Sequence, residues 1–289
     1  MPQQIEFQPF HYRSDDGLTL HGRVYGHGNG GQPPVVCLAG LSRNSRDFHR
    51  FALMLAEEGR KVVTFDYRGR GLSDRDPDPA NYNPGREAQD VLQGLSHLGI
   101  AAADFIGTSR GGLILHFLPA MAPDLVRSVV LNDIGPVIEN EGLRRIRDYL
   151  SVRASPRDFA HAARALRAVH GADFTILADD DWADMAQAIF REIDGRILPD
   201  HDPALAEPLK SMDFGQPMPA LWEPFRSLSA IPLLVIRGEN SSLLTPETVE
   251  RMLEQHGHAA AITAPGQGHA PLLHVAGLAG PVAEFLSRR

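Results

Sequence analysis

Three stretches of the sequence carry residue types that can make and break acyl bonds. Gly107-Thr108-Ser109-Arg110-Gly111 follows a short apolar run, Asp104 to Gly107, and precedes a helical pattern from Arg110 to Met121. A serine on such a strand-to-helix turn sits on a strained backbone, and glycines two before and two after it let the chain fold back closely. The helix behind the turn offers free N–H groups and a positive dipole end, which suit a developing oxyanion. Leu38-Ala39-Gly40-Leu41-Ser42-Arg43 follows an earlier apolar run, where Gly40 lets the N–H of Leu41 turn inward beside that of Arg110 as a second donor. Gly266-Gln267-Gly268-His269-Ala270-Pro271 places His269, alone among 13 histidines, on a glycine-flanked loop after the last strand pattern and before the last helical one. That is a place for a general base. Against this stand an ordinary glycine-rich β–α turn and a structural histidine; the agreement of the three stretches favours catalysis.

These residues need a scaffold, and the rest of the pattern supplies one. Ile5 to Tyr12 and Leu18 to Tyr25 flank Ser14-Asp15-Asp16-Gly17, a hairpin signal. Pro34 to Ala39, Lys61 to Phe65, Asp104 to Gly107, Val126 to Leu131, Pro232 to Ile236 and Ala259 to Thr263 read as buried parallel strands, too short and too apolar to be half exposed. Helical patterns at Asp47 to Glu58, Arg86 to Leu98, Arg110 to Met121, Pro246 to Gln255 and Pro271 to Leu286 alternate with them. The β-then-α order predicts an α/β fold, a mostly parallel sheet with helices on both faces. Between Gly135 and Phe225 the alternation stops: Leu143 to Arg153, Pro156 to Val169 and Asp181 to Ile193 read as helices, a proline-rich passage follows, and no strand run appears. The expected organisation is a core of residues 1–134 and 226–289 with an inserted helical lid over 135–225, covering the site and excluding water.

The chain resembles the α/β-hydrolase family, and within it the lidded bacterial esterase-like members. The stretches that carry the resemblance are LAGLSRNSRDF from Leu38, FDYRGRGLSD from Phe65, GTSRGG from Gly107, LNDIGP from Leu131, RGENSSLLTPE from Arg237 and GQGHAP from Gly266. The resemblance implies the α/β-hydrolase fold, a nucleophile at Ser109 and a base at His269. Members with an aspartate nucleophile are disfavoured by the serine at 109. It also implies an acid just past the strand ending at Gly238, and there this sequence has Ser242. A serine can hold an imidazole tautomer but cannot stabilise imidazolium with a full charge. Asp133, at the alternative strand end after the nucleophile helix, and Glu239 are the replacements, with Asp133 preferred; Asp133 as a mere cap on the loop into the lid is the bland reading. Arg110, directly after the nucleophile, presents a donor fork suited to a carboxylate, either on an anionic substrate or on Asp133. Trp182, Trp222 and Phe225 are available as apolar walls.

The expected activity is hydrolysis of a small or medium carboxylic ester or lactone through an acyl-enzyme. Two alternatives stay open: a C–C bond hydrolase of carboxylate-bearing diketones, anchored by Arg110, and a non-enzymatic receptor of the same fold, motivated by Ser242. Composition narrows the partners to a small molecule, with an oligomer left open. With 28 Lys+Arg against 36 Asp+Glu and no basic cluster, nucleic acid is disfavoured. The longest uncharged stretch, Ala270 to Ala283, is short of the ~20 apolar residues of a membrane helix and is broken by prolines and glycines. The opening MPQQIEFQPF does not read as a secretory signal, so the mature chain is expected to begin near Met1. Cys37 is the single cysteine, which excludes an internal disulfide and points to a reducing, cytoplasmic compartment. No cofactor is expected: Gly26 to Gly31 and Gly69 to Gly71 lack the dinucleotide-binding context. No metal is expected either, because His256, His258 and His274 lack ligand spacing and Asp179 to Asp181 suits a helix start.

Overall fold

A computed structural model describes residues 7–28, 31–152 and 155–288. Met1, Ile5, Asn29, Gly30 and Arg153, on which parts of the sequence reading fall, lie outside the described residues. The strands are β1 (Gln8–Arg13), β2 (Thr19–Tyr25), β3 (Val35–Leu38), β4 (Val62–Asp66), β5 (Ala103–Thr108), β6 (Val126–Asn132), β7 (Phe190–Ile193), β8 (Arg196–Pro199), β9 (Leu233–Gly238) and β10 (Ala259–Ala264). Eight of them form one sheet in the order β1-β2-β4-β3-β5-β6-β9-β10. The β1–β2 and β2–β4 pairs are antiparallel, and every pair from β4 to β10 is parallel.

Helices α1 (His49–Glu57), α2 (Pro84–His97) and α3 (Arg110–Met121) join the first parallel strands. Between β6 and β9 come α4 (Asn140–Ser151), α5 (Phe159–His170), α6 (Asp179–Ile189), α7 (Glu207–Lys210) and α8 (Trp222–Arg226), and α9 (Pro246–His256) and α10 (Ala279–Ser287) complete the chain. Every residue of β3, β4 and β5 is buried. Their side chains alternate between two apolar layers, as the period of two requires. Val36 and Leu38 join the layer under α2, α3 and α9, while Val35 and Cys37 face α1 and α10. Local chemistry sets the helix ends. Asn83 caps α2 by accepting from the Arg86 N–H with Pro84 at the first position, and Thr245 with Pro246 does the same for α9, which stops at Gly257 with φ 70°.

Three expectations about elements are corrected. β10 is parallel to β9 but not buried: as the last strand of the sheet it has one unpaired edge, and Ala260, Ala261 and Thr263 are exposed. The segment after β6 is not wholly helical: α6 ends at Ile189, and Phe190–Ile193 pairs antiparallel with Arg196–Pro199. Asp194 and Gly195 take φ of 51° and 72°, the positive values that a two-residue hairpin turn demands, so turn chemistry overrides the helical pattern. The last helix begins at Ala279, not at Pro271. Residues before it are committed elsewhere: the Pro271 carbonyl accepts from Asn132, the Leu272 N–H donates to the Gln267 side chain, and Gly277 has φ 71°. Among the described residues no helix is long and apolar enough to cross a membrane.

Candidate active site

Ser109 lies between the last residue of β5 and the first of α3, with φ 50° and ψ −111°. A non-glycine residue held there is strained by about 1–3 kcal/mol, and the surroundings must impose it. They do so by contact. A Cβ on Gly107 would lie 2.6 Å from the Gly111 carbonyl carbon, and one on Gly111 would lie 2.1 Å from the Leu38 carbonyl oxygen. Both glycines are therefore spaces that the turn needs. The Ser109 N–H donates to the Asn132 carbonyl at 3.1 Å, fastening the turn to the end of β6.

His269 reaches Ser109 from the loop after β10. Its Nε2 is 2.9 Å from the Ser109 hydroxyl oxygen and its Nδ1 is 2.7 Å from Asp133 Oδ2. A carboxylate only accepts, so Nδ1 carries the proton and Nε2 is left to accept from the serine. The Asp133 side chain is wholly buried. It accepts two further bonds, from the Gly238 N–H to Oδ1 at 2.8 Å and from the Ser241 hydroxyl to Oδ2 at 2.6 Å. A buried charge is tolerable when each oxygen is met by donors in this way. Asn132 ties the elements together, donating to Thr108 Oγ1 at 3.0 Å and to the Pro271 carbonyl at 2.9 Å.

The loop after β3 comes beside the serine: a Cβ on Gly40 would lie 3.9 Å from the Ser109 Cβ. The Arg43 N–H donates to the Gly40 carbonyl at 3.1 Å, so the trans peptide turns the Leu41 N–H the opposite way. Arg110 opens α3, where the first N–H groups have no acceptor within the helix. Ser109 and His269 face a cavity of about 580 Å³ whose walls include Phe48, Ile146, Tyr149, Phe174, Met185 and Leu272. The segment between β6 and β9 thus supplies one side of it. Burial pushes the Tyr149 hydroxyl up and the His170 imidazole down, the latter helped by the nearby Arg43. Arg43, in the same wall, is ion-paired to Asp47.

Residues 33–274 match the family described as the alpha/beta hydrolase fold. The chain belongs to the α/β-hydrolase family. It is a hydrolase of that fold, and its relatives are named for different substrates. The 3-hydroxybutyrate-oligomer hydrolase of Cupriavidus necator is 32% identical over 261 residues, 87% of this chain and 88% of that protein. The 2-(acetamidomethylene)succinate hydrolase of Mesorhizobium japonicum is 26% identical over 254 residues, 87% of this chain and 85% of its own length. A crystal structure of an alpha/beta hydrolase from Novosphingobium aromaticivorans superposes with a TM-score of 0.90 at 38% identity, covering 98% of this chain and 99% of that one.

In this α/β-hydrolase Ser109, His269 and Asp133 come together, whereas other sequence-selected residues do not join them. Ser242 borders the cavity but makes no bond to His269; its neighbour Ser241 is the one that reaches Asp133. Glu239 turns away from the imidazole and accepts from the Gly266 N–H at 2.7 Å, bracing the loop that carries His269. Arg110 pairs neither with Asp133 nor with the cavity. Its Nε lies 2.9 Å from Glu87 and its Nη2 donates to the Tyr82 carbonyl at 2.9 Å. Trp182 and Trp222 do not line the cavity, because their large apolar faces are used for packing. Trp182 is buried against Phe174 with rings 6.3 Å apart, and Trp222 and Phe225 pack on the sheet's larger apolar layer, with Arg251 over the Trp222 ring. Ser241 and Gly238 were missed by sequence reasoning, since a hydroxyl and a backbone N–H carry no local signal of a partner on another strand.

Proposed function

We propose that this α/β-hydrolase is a serine hydrolase cleaving a small or medium carboxylic ester through an acyl-enzyme. The observation that carries the reading is the continuous relay from Ser109 Oγ to His269 to buried Asp133, at 2.9 and 2.7 Å. Ser109 Oγ attacks the carbonyl carbon while His269 Nε2 takes its proton. Asp133 holds the tautomer and balances the imidazolium charge. The N–H groups of Leu41 and Arg110 receive the oxyanion. Collapse breaks the ester C–O bond, and His269 returns the proton to the leaving alkoxide; water then repeats the sequence on the acyl-enzyme. Residues 135–225 act as the lid that keeps this chemistry away from bulk water.

Oligomeric esters of short hydroxy acids are the first substrates to test, because the Cupriavidus necator relative is named for them. The cavity suits a chain of that kind: its walls are largely apolar, and Arg43 carries a buried Nε with no hydrogen-bond partner. The C–C bond reading loses the residue that motivated it, since Arg110 is tied to Glu87. The experiment is turnover of p-nitrophenyl butyrate and of 3-hydroxybutyrate dimer, with fluorophosphonate labelling, by the wild type and by Ser109→Ala. The wild type should turn over and label at Ser109, and the variant should do neither. A folded wild-type protein that neither labels nor hydrolyses any ester refutes the proposal.

A further inference from the structure

Behind the strand ends a buried charge cluster links the two chain segments that carry the oxyanion donors. Arg70 is wholly buried and donates from Nε to the Leu41 carbonyl at 2.8 Å and from Nη1 to the Arg68 carbonyl at 2.7 Å. The same Nη1 lies 2.8 Å from Glu87 Oε1, and the other oxygen, Oε2, lies 2.9 Å from Arg110 Nε. Glu87, whose side chain has no exposed surface, is thus shared between Arg70 and Arg110.

Each contact restrains a donor. The bond from Arg70 fixes the plane of the Leu41–Ser42 peptide, and the bond from the Arg43 N–H fixes that of the Gly40–Leu41 peptide, so Leu41 is held on both sides. Arg110 is held through its side chain, by Glu87 and by the Tyr82 carbonyl, while its own N–H is the first of α3 and has no acceptor within the helix. Preorganised donors stabilise an oxyanion only when they need not reorganise as charge develops. The two guanidinium groups share one carboxylate, so the two donor-bearing segments are tied to the same buried anchor. Burial pushes the Arg70 guanidinium down; Glu87 opposes that and Arg110 adds to it, as expected for like charges held together. A buried ion pair contributes little to stability compared with apolar side chains of the same size, so a positioning role accounts better for charges at this place.

We propose that Glu87, acting through Arg70 and Arg110, is a positioning residue that sets the Leu41 and Arg110 N–H groups for the oxyanion formed on Ser109. The proposal rests on the serine hydrolase reading. The test uses the full chain and the variants Glu87→Gln, Arg70→Lys and the two combined, with p-nitrophenyl butyrate as ester. A trifluoromethyl ketone, which adds to the serine as a tetrahedral oxyanion, probes the donors directly. Since loss of one donor costs about 100- to 1,000-fold, misplacement of both should lower kcat about 10- to 100-fold, with KM changed less than about threefold. The ketone inhibition constant should rise by the same factor as kcat/KM falls. The double variant should be no worse than the more damaged single one, because both break one device. Hydrogen exchange should quicken in the segments 38–43 and 108–112. An unchanged kcat, a fall in kcat with unchanged ketone binding, or unchanged exchange in both segments overturns the proposal. If Glu87→Gln does not fold, Arg110→Met removes the link while keeping the backbone N–H, and the same readouts apply with a smaller loss. A wild type without ester turnover defeats the functional reading alone, and the exchange measurement then decides the positioning role.

Discussion

Replacing Asp133 with Asn exchanges one oxygen acceptor for an amide donor, and its surroundings dictate which. Oδ1 accepts from the Gly238 N–H at 2.8 Å, so an amide nitrogen placed there would face another donor. That clash leaves a buried donor unpaired at about 1–3 kcal/mol. The oxygen therefore stays on Gly238, and the nitrogen takes the Oδ2 position against His269 Nδ1 and the Ser241 hydroxyl. An N–H donating to Nδ1 forces the imidazole proton onto Nε2, which then cannot accept from Ser109. Loss of both the tautomer and the counter-charge should lower kcat on the order of 10³- to 10⁴-fold, the scale seen when a serine-protease triad acid is made an amide. At about 1.4 kcal/mol per tenfold this is about 4–5.5 kcal/mol of lost transition-state stabilisation. The assay is p-nitrophenyl butyrate turnover with parallel measurement of the rate of fluorophosphonate labelling; both should fall together while circular dichroism stays native. Turnover within tenfold of wild type in a folded Asp133→Asn protein would refute the assignment and send the search for the acid elsewhere.

Two further outcomes follow from the same contacts. Ser241→Ala removes the 2.6 Å bond to Asp133 Oδ2 but leaves the Gly238 and His269 bonds, so kcat should fall by about tenfold, well short of the Asp133→Asn loss. An unchanged kcat would mean that the hydroxyl does not orient the carboxylate. Burial pushes the His116 imidazole from an ordinary 6.5 down to about 4, so between those values the unfolded chain binds a proton that the folded one refuses. Stability is therefore unaffected above pH 6.5, falls as the pH drops towards 4, and levels off below, with a total loss of up to about 3 kcal/mol from this group. Urea unfolding at pH 7 and pH 4 should show a loss in the wild type that His116→Gln lacks, and parallel pH dependence in the two proteins would exclude the mechanism.

What the sequence discloses depends on how far apart the cooperating groups lie. Ser109 is legible because its residue type and its geometry are written in the same five residues: the glycines that a Cβ would ruin stand beside the hydroxyl proposed to react. His269 is legible from its position between the last strand and the last helix. The sheet was legible for a similar reason, since a run buried on both faces must be apolar at every position, as β3, β4 and β5 are. The β7–β8 hairpin has a local signal, Asp194-Gly195, but the apolar helical pattern of α6 runs on into its first strand as far as Ile193. Trp182 and Trp222 show the opposite limit: residue type announces burial and leaves open whether the neighbour is a cavity or a packed layer. Arg110 had a visible charge and an invisible partner, because Glu87 approaches it only through the packing of α2 against α3.

The sheet order explains why the acid could be narrowed but not fixed from sequence. β5, β6 and β9 are successive neighbours, so the turn at Ser109, the loop at Asp133 and the loop past Gly238 emerge side by side at one edge. Either of the last two can reach an imidazole in front of Ser109. The choice turns on what the other loop provides, and here β9 offers donors in place of a carboxylate: the Gly238 N–H and the Ser241 hydroxyl both point at Asp133. Asp133 takes φ 55°, a conformation that aspartate tolerates better than most residues, and its carboxylate meets the Gly238 N–H, the Ser241 hydroxyl and His269. A second carboxylate past β9, as at Glu239, would place like charges together unless turned aside, and Glu239 is turned aside onto the Gly266 N–H. With Asp133 as the proposed acid, Ser241 of RGENSSLL is not the remnant of a lost one: it is the donor that an acid on the neighbouring strand requires of the loop that faces it.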